Sequence, residues 1–512
     1  MALKGQDDLK LVQGSCQQEA IWEFLRDGSQ HGLVDARAGT GKTFTIVQGV
    51  RRLPRSLRVG VFSFNRHIVE EQNRQLRQLG IVRARATTFH SFGFQALRKV
   101  FNRVELIQDK LWSIIRHHTN DRDAGAAVRR LVSLCKNLLD DGLDPLKLDE
   151  LVVRHSIEMD YRYRDDIFEL VPRVLADCLN YRAGIDFDDM IWLPVKLQLP
   201  VEKFDLLLVD EAQDCNVTQQ ALLRMACPDG RIVIVGDRFQ SVYGFRGADV
   251  DAIPSMQQAL SETKRGCQVL PLTVTRRSPL LHVEMAQVIV PDIEALPDAP
   301  NGEVLNVGKK GATLLMKPGD MGVCRVNREL VPAALKLIQR GTRVIVRGRE
   351  IGTGLISLID NLKACDVPDL LRRLEKYWHR ESVKWHALGE RGASTLAELE
   401  DRVGCLIALC EGVHDLDELK VKIRGLFADV EDEDSRDDFV LLGTIHRTKG
   451  LEANKVFVLA PELIPHPAAK QAWEREQERN LAYIAATRAK FEPGRHPGRL
   501  IFVGSIPDIY RH

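Results

Sequence analysis

Two short apolar runs, with the residues that follow them, limit this chain more than anything else in it. Asp205-Leu206-Leu207-Leu208-Val209 leads into Asp210-Glu211-Ala212-Gln213-Asp214, and Arg231-Ile232-Val233-Ile234-Val235 leads into Gly236-Asp237-Arg238-Phe239-Gln240-Ser241. Aliphatic runs this short suit strands covered on both faces of a parallel sheet. Polar residues past their C-terminal ends lie where open α/β sheets hold ligands. Two carboxylates after one strand suit a hydrated Mg2+ and an attacking water. The glutamine after the next strand can reach a γ-phosphate. Core strands with solvated acidic ends would read the same locally, so the rest of the chain must decide.

The deciding stretch is Gly32-Leu33-Val34-Asp35, a strand, followed by Ala36-Arg37-Ala38-Gly39-Thr40-Gly41-Lys42-Thr43. This is a phosphate-binding loop with Ala36 in place of the first glycine. Gly39 and Gly41 let the backbone wrap an anion, and the N–H groups from Ala38 through Thr40 to the helix start point at it. Lys42 adds charge for the β- and γ-phosphates, and Thr43 offers a hydroxyl to Mg2+. Upstream, residues 15–27 read as an amphipathic helix with Ser15 as N-cap and Gln18 three residues on.

Further along, residues 59–65 read as a strand, with Asn65 opening a helix through Glu70 and Leu76. Thr88, His90 and Ser91 stand at a strand end, where they can bond phosphates of a nucleic-acid chain. Residues 94–180 change to helical periods with many arginines, an insertion between the phosphate loop and the acidic strand. Asp186, Asp188 and Asp189 imitate a metal cluster but read as an N-cap with a solvated acidic face. A second lobe shows strands at Gly322–Arg325 and Val344–Val346, a helix over residues 330–339 between them, and later strands at 440–446, 455–459 and 500–503. Helical periods fill residues 352–428, and the acidic stretch 429–438 reads as a solvated linker. The expected division is therefore 1–93 with 181–275, a helical insertion at 94–180, a second lobe at 276–351 with 439–512, and a compact insertion at 352–438.

Composition excludes some alternatives. A chain of 512 residues needs more than one domain, and 44% hydrophobic with 28% charged residues is ordinary globular usage. A net charge of +1 means that a nucleic-acid partner is held by local basic surface and not by a global field. Ten scattered cysteines without a CxxC pair argue against zinc or iron–sulfur and for a reducing, intracellular, cytoplasmic setting. No apolar run approaches the roughly 20 residues of a membrane span, and the charged residues 1–10 do not read as a signal peptide, so no membrane partner is expected.

The ordered series of segments resembles the superfamily 1 DNA helicases of the UvrD, Rep and PcrA kind. The resemblance covers both motor lobes, about two thirds of the chain. It implies an α/β fold of two RecA-like P-loop NTPase lobes with parallel sheets, each carrying a mainly helical insertion, with ATP and Mg2+ as cofactors. Residue by residue, Gln17 matches the glutamine that reads adenine, and Lys42 and Thr43 match the phosphate and Mg2+ ligands. Asp210 matches the Mg2+ aspartate, Glu211 the base that activates water, and Gln240 the γ-phosphate sensor. Arg277 and Arg488 match the two γ-phosphate arginines, and Glu452 a ribose contact. Asn65, Thr88, His90, Tyr243, Phe245, Arg246, Thr444 and His446 match contacts to a DNA strand.

Three departures stand out. The family sandwiches adenine between an arginine after the phosphate loop and a tyrosine before the first γ-phosphate arginine; here Phe44 and Arg276 hold those positions, which implies a sandwich with its faces exchanged, the alternative being Phe44 in the helix core and Arg276 as a surface charge. Ser63, between Phe62 and Phe64, stands at the family's aromatic strand contact. The second insertion is shorter than in UvrD, and no nuclease motif follows the last strand. The resemblance implies an ATP-dependent helicase or translocase moving 3′ to 5′ on single-stranded DNA and acting at duplex junctions. A DNA-stimulated ATPase switch or motor subunit, working with a separate nuclease in repair or defence against phage, is the alternative.

Overall fold

The computed structural model describes residues 12–101, 103–155, 157, 159–181, 183–242, 252–309, 311–387, 389–428 and 437–511. The chain divides into two units, Met1–Arg238 with Tyr243–Thr273, and Phe239–Val242 with Val274–His512.

The first unit is built on a six-stranded parallel sheet of β1 (His31–Ala36), β2 (Val59–Ser63), β3 (Ala84–Thr88), β4 (Leu206–Val209), β5 (Arg231–Gly236) and β6 (Cys267–Leu272). Their spatial order is β3-β2-β4-β5-β1-β6. Every residue of β2 and β4 is buried, as the unbroken apolar runs require. This order brings the C-terminal ends of β4 and β1 to either side of β5. Helix α1 (Cys16–Asp27) begins with a capping box between Ser15 and Gln18. Helices α2 (Lys42–Arg52), α3 (Arg66–Gln78) and α4 (Phe89–Val100) follow β1, β2 and β3.

Helices α5 (Lys110–Ile115), α6 (Arg122–Leu138), α7 (Pro145–Arg154) and α8 (Arg164–Asn180) gather around a core of their own that includes Leu131, Val132, Leu148, Val171 and Val174. The chain returns through α9 (Asp189–Lys196). A Cβ on Gly93 of α4 would stand 2.0 Å from Met190 O, so only glycine lets α4 lie this close to α9. The acidic triplet here is not a solvated face. Asp189 is fully buried between Lys110 (2.6 Å) and Lys136 (2.8 Å), and Lys136 also reaches Asp186 at 2.6 Å. Burial opposes the Lys136 charge, but Asp189 and Asp186 outweigh it and hold the ammonium well above the usual lysine value. Asp188 instead accepts from Ser133 Oγ at 2.6 Å, and burial pushes its carboxyl up.

In the second unit seven parallel strands follow the short ladder of β7 (Val274–Thr275) and β8 (Glu294–Ala295). They are β9 (Glu303–Val307), β10 (Met321–Cys324), β11 (Val344–Arg347), β12 (Phe427–Ala428), β13 (Val440–Thr444), β14 (Lys455–Leu459) and β15 (Arg499–Val503). Their order is β12-β11-β13-β10-β14-β15-β9. Four helices, Arg349–Leu362, Val367–His386, Ala393–Cys410 and Leu416–Leu426, lie between β11 and β12. Asp401 ties them to the loop after β10 by accepting from Asn327 N (3.1 Å), Asn327 Nδ2 (2.9 Å) and Arg328 N (2.6 Å). Trp385 is buried in this core. Most of the acidic stretch, residues 429–436, lies outside the described residues.

Breaking a buried ion pair by removing one partner leaves an uncompensated charge. Asp189→Asn is expected to destabilise the protein by about 3–5 kcal/mol in denaturant unfolding. Asp188→Asn, at a carboxyl already pushed toward its neutral form, is expected to cost much less.

Candidate active site

At the end of β1, Gly39 and Gly41 take φ values of 74° and 81°, a region open to glycine and costly for other residues. Gly41 caps α2, whose first N–H groups and positive end face the loop. The loop is braced from within: Thr40 Oγ1 donates to Arg37 O and Thr45 Oγ1 to Gly41 O, each at 2.9 Å. The buried Arg37 guanidinium clasps Asp35 at 2.7 and 3.0 Å and Ala36 O at 2.8 Å.

Two strands away, Asp210 follows β4 and is fully buried. Its Oδ2 accepts from Thr43 Oγ1 and from Gln72 Nε2, both at 3.0 Å, and its Oδ1 accepts from Glu211 N at 3.0 Å. Burial, then the neighbouring Glu211 charge, pushes the Asp210 carboxyl up to about 7, against the pull of Lys42 and Thr43. Glu211 itself sits in the left-handed region at φ 53°, a costly conformation that neighbours must hold. Lys42 Nζ lies 3.4 Å from its Oε1, Gln213 Nε2 donates to its Oε2, and Gln213 Oε1 accepts from Asp237 N at 3.1 Å. A hydroxyl and a buried carboxylate beside a phosphate loop fit Mg2+, a hard cation that takes one or two protein oxygens and keeps waters. No group of three or more metal-ligating side chains exists among the described residues, so a protein cage for a metal is not part of this site.

Gln17 is turned to Thr273: Gln17 Nε2 donates to Thr273 Oγ1 at 2.8 Å and Thr273 N donates to Gln17 Oε1 at 2.9 Å. Its amide keeps one N–H and one lone pair for another partner. Phe44, in the first turn of α2, is 37% exposed with its ring 6.4 Å from that of Trp22. It is not a helix-core residue.

In the second unit, Arg277 pairs with Glu452, and Lys490 Nζ lies 3.6 Å from the same carboxylate. Burial raises the Glu452 carboxyl, but Arg277 and Lys490 outweigh it and hold the group below its usual range. Arg276 is exposed. Arg488 is fully buried, and its guanidinium donates to Ile484 O and Leu451 O at 2.9 Å each, which fixes the loop that carries Glu452. Gln240 falls in this unit too, in the turn Arg238–Gln240, next to Ser241 and Val242, whose carbonyls accept from Asn480 Nδ2 (3.0 Å) and Gln477 Nε2 (2.7 Å).

Among the strand-contact candidates, Asn65 caps α3 by accepting from His67 N, and Thr88 caps α4 by accepting from Ser91 N. His90 stacks on Phe187 with ring centroids 3.9 Å apart. Thr444 ends β13 and is buried, and His446 is half-buried in the turn after it. Tyr243, Phe245 and Arg246 lie outside the described residues.

A family model described as the UvrD/REP helicase N-terminal domain matches residues 17–261, and one for the UvrD-like helicase C-terminal domain matches residues 400–492. The chain belongs to the UvrD/Rep family of superfamily 1 helicases. Its two parallel sheets are the RecA-like lobes expected of that family. Similar proteins include ATP-dependent DNA helicase Rep of Buchnera aphidicola, 29% identical over 249 residues, which are 42% of this chain and 37% of that protein. ATP-dependent DNA helicase UvrD1 of Mycobacterium tuberculosis is 27% identical over 275 residues, 45% of this chain and 34% of that protein. DNA helicase II of Escherichia coli is 29% identical over 247 residues, 43% of this chain and 33% of that protein. The chain thus spans about a third of the length of the curated relatives it matches.

Against the UvrD/Rep pattern, three neighbours of the site escaped the sequence reading. Lys490 follows the arginine segment and carries no motif of its own. Ser63 was read as part of a strand track, yet it is buried and donates to Gln72 Oε1 at 3.0 Å. Phe62 is fully buried against Phe89 and Phe92, so Phe64, at 46% exposure, is the aromatic left at that surface. Gln72 had a readable signal: with Val69 and Leu76 it forms the buried stripe of α3, and a polar residue on such a stripe needs a partner.

His90 gives a pH test. Burial alone pushes its imidazole down to about 4, so the ring is neutral at neutral pH. Because the folded value lies below the ordinary 6.5, the stability tied to the neutral ring is whole above that pH and lost as pH falls toward about 4. The His90 ring-proton NMR shift is expected to stay flat from about pH 8 to about pH 5. A midpoint near the ordinary histidine value would refute the buried, neutral assignment.

Proposed function

We propose that this chain is an ATP-dependent DNA translocase and helicase that moves 3′ to 5′ along single-stranded DNA and separates duplex at junctions. Family membership supports ATP-driven work on DNA; the polarity and the unwinding follow from the resemblance of the motif series. The observation that carries the reading is the convergence of Lys42, Thr43, Asp210 and Glu211 at the ends of β1 and β4.

In this reading the backbone of Ala38, Gly39, Thr40 and Gly41 cradles the phosphates, and Lys42 takes the β- and γ-phosphate charge. Thr43 and Asp210 hold Mg2+, which supplies positive charge to the transferring phosphoryl group when bound. Glu211 accepts the proton of the attacking water. A phosphate on Lys42 competes with Glu211 for the ammonium, so nucleotide binding releases the carboxylate that must act as base. Gln240 senses the γ-phosphate, and Arg277 and Arg488 are its arginines. Gln17 reads the adenine edge, Phe44 and Arg276 stack on the ring, and Glu452 meets the ribose. Asn65, Thr88, His90, Thr444 and His446, with Tyr243, Phe245 and Arg246, contact the strand.

The deciding measurement is ATP hydrolysis with and without single-stranded DNA, with Lys42→Ala as the control. Strong stimulation by DNA is expected, with a loss of about 10²–10³ in kcat in the variant. Unwinding of a 3′-tailed duplex in preference to a 5′-tailed one is the expected polarity. Hydrolysis indifferent to DNA, or none until a second protein is added, would replace this reading with the switch or subunit.

A further inference from the structure

One buried chain of hydrogen bonds has no role in the assignments above. Ser63 Oγ donates to Gln72 Oε1, and Gln72 Nε2 donates to Asp210 Oδ2, both at 3.0 Å. All three residues are fully buried. We propose that Gln72, oriented by Ser63, is a positioning residue that fixes the Asp210 carboxylate for Mg2+ beside Thr43. The inference rests on the nucleotide-site reading above.

The chemistry of the groups fixes the direction of the chain. A carboxylate that holds Mg2+ is ionised and only accepts, so the nitrogen end of the Gln72 amide must face Asp210, as it does here. The two ends of the amide are nearly equal in shape; the carboxylate selects the nitrogen end, and a donor to Oε1 behind it holds the amide in place. Ser63 is that donor. Asp210 then has donors on both oxygens: Thr43 and Gln72 on Oδ2, and Glu211 N on Oδ1. Three donors from three elements hold the plane of the carboxylate, and Thr43 and Glu211 N alone leave it free to tilt. Mg2+ tolerates little departure from octahedral geometry, so a tilt reduces its affinity out of proportion to the atoms moved. The neighbours of Gln72 on the buried stripe of α3, Val69 and Leu76, are apolar, so packing alone gives no reason for an amide there.

The test uses the full chain with Gln72→Leu, Ser63→Ala and Ser63→Thr. A fluorescent ATP analogue that is not hydrolysed is titrated with and without Mg2+, alongside thermal unfolding. Gln72→Leu is expected to raise the Mg2+ concentration for half-maximal tight binding roughly ten- to a hundredfold, the usual effect of losing a ligand-orienting partner. Affinity without divalent ions should stay within about twofold, because the phosphate loop is untouched. Ser63→Ala should shift the Mg2+ dependence the same way and Ser63→Thr, which keeps the hydroxyl, should restore it. The Ser63 pair carries the test if Gln72→Leu fails to fold. A lower unfolding temperature with an unchanged Mg2+ dependence would overturn the inference and leave Gln72 as core filling. Wild-type protein that binds no nucleotide would overturn the site reading itself, and the inference with it.

Discussion

The candidate site of the first unit rests on one carboxylate, Asp210, buried where water does not reach. Burial opposes its charge, and Glu211 beside it adds to the opposition. The surroundings answer with donors: a hydroxyl from the first turn of α2, an amide from α3 and a backbone N–H. Each comes from a different element, so the sheet order has to be right before the site can exist. β1, β2 and β4 bring these elements together only because β5 and β2 flank β4 in the parallel sheet.

Much of this was legible in the sequence because it is local. The glycines of the phosphate loop, the carboxylates after β4 and the alternation of strand and helix are fixed by neighbours within a few residues. The helix Leu330–Gln339 and the strands on either side of it stand where their apolar periods put them. Two edge strands, β6 and β9, were not legible. β6 contains Pro271, exposes Val269 and pairs on one side only, so its sequence shows neither the apolar run nor the alternation of a strand. β9 is another edge strand, and Leu305 is exposed there. Both are defined by the partner they add to.

The acidic triplet at 186–189 shows a different limit. Three aspartates in four residues have the composition of a solvated face, and charge pattern alone favours that reading. Lys110 and Lys136 lie 79 and 53 residues away from Asp189 in sequence, and nothing local announces that they will meet it. The burial of these charges is set by how α5, α6 and α9 pack. Asn137 accepts from Asn216 Nδ2 at 2.6 Å in the same region, so the junction of the helical insertion with the sheet domain is polar and specific. Such a junction is less tolerant of sliding than an apolar one, because each displaced partner leaves a buried polar group unsatisfied.

Helix α3 puts these two kinds of information on one rod. Its N-cap Asn65 ends the segment matched to strand contacts, and seven residues on, Gln72 donates to Asp210, the aspartate proposed for Mg2+. Seven residues of α-helix rise about 10 Å, a length over which a helix packed on its buried face moves as a rigid body. Ser63, the last residue of β2, and Phe64, just past it, make the same division one residue apart, the first bonded to Gln72 and the second exposed. The geometry ties the exposed Phe64 edge of the sheet to Asp210 through two adjacent residues and about two helical turns.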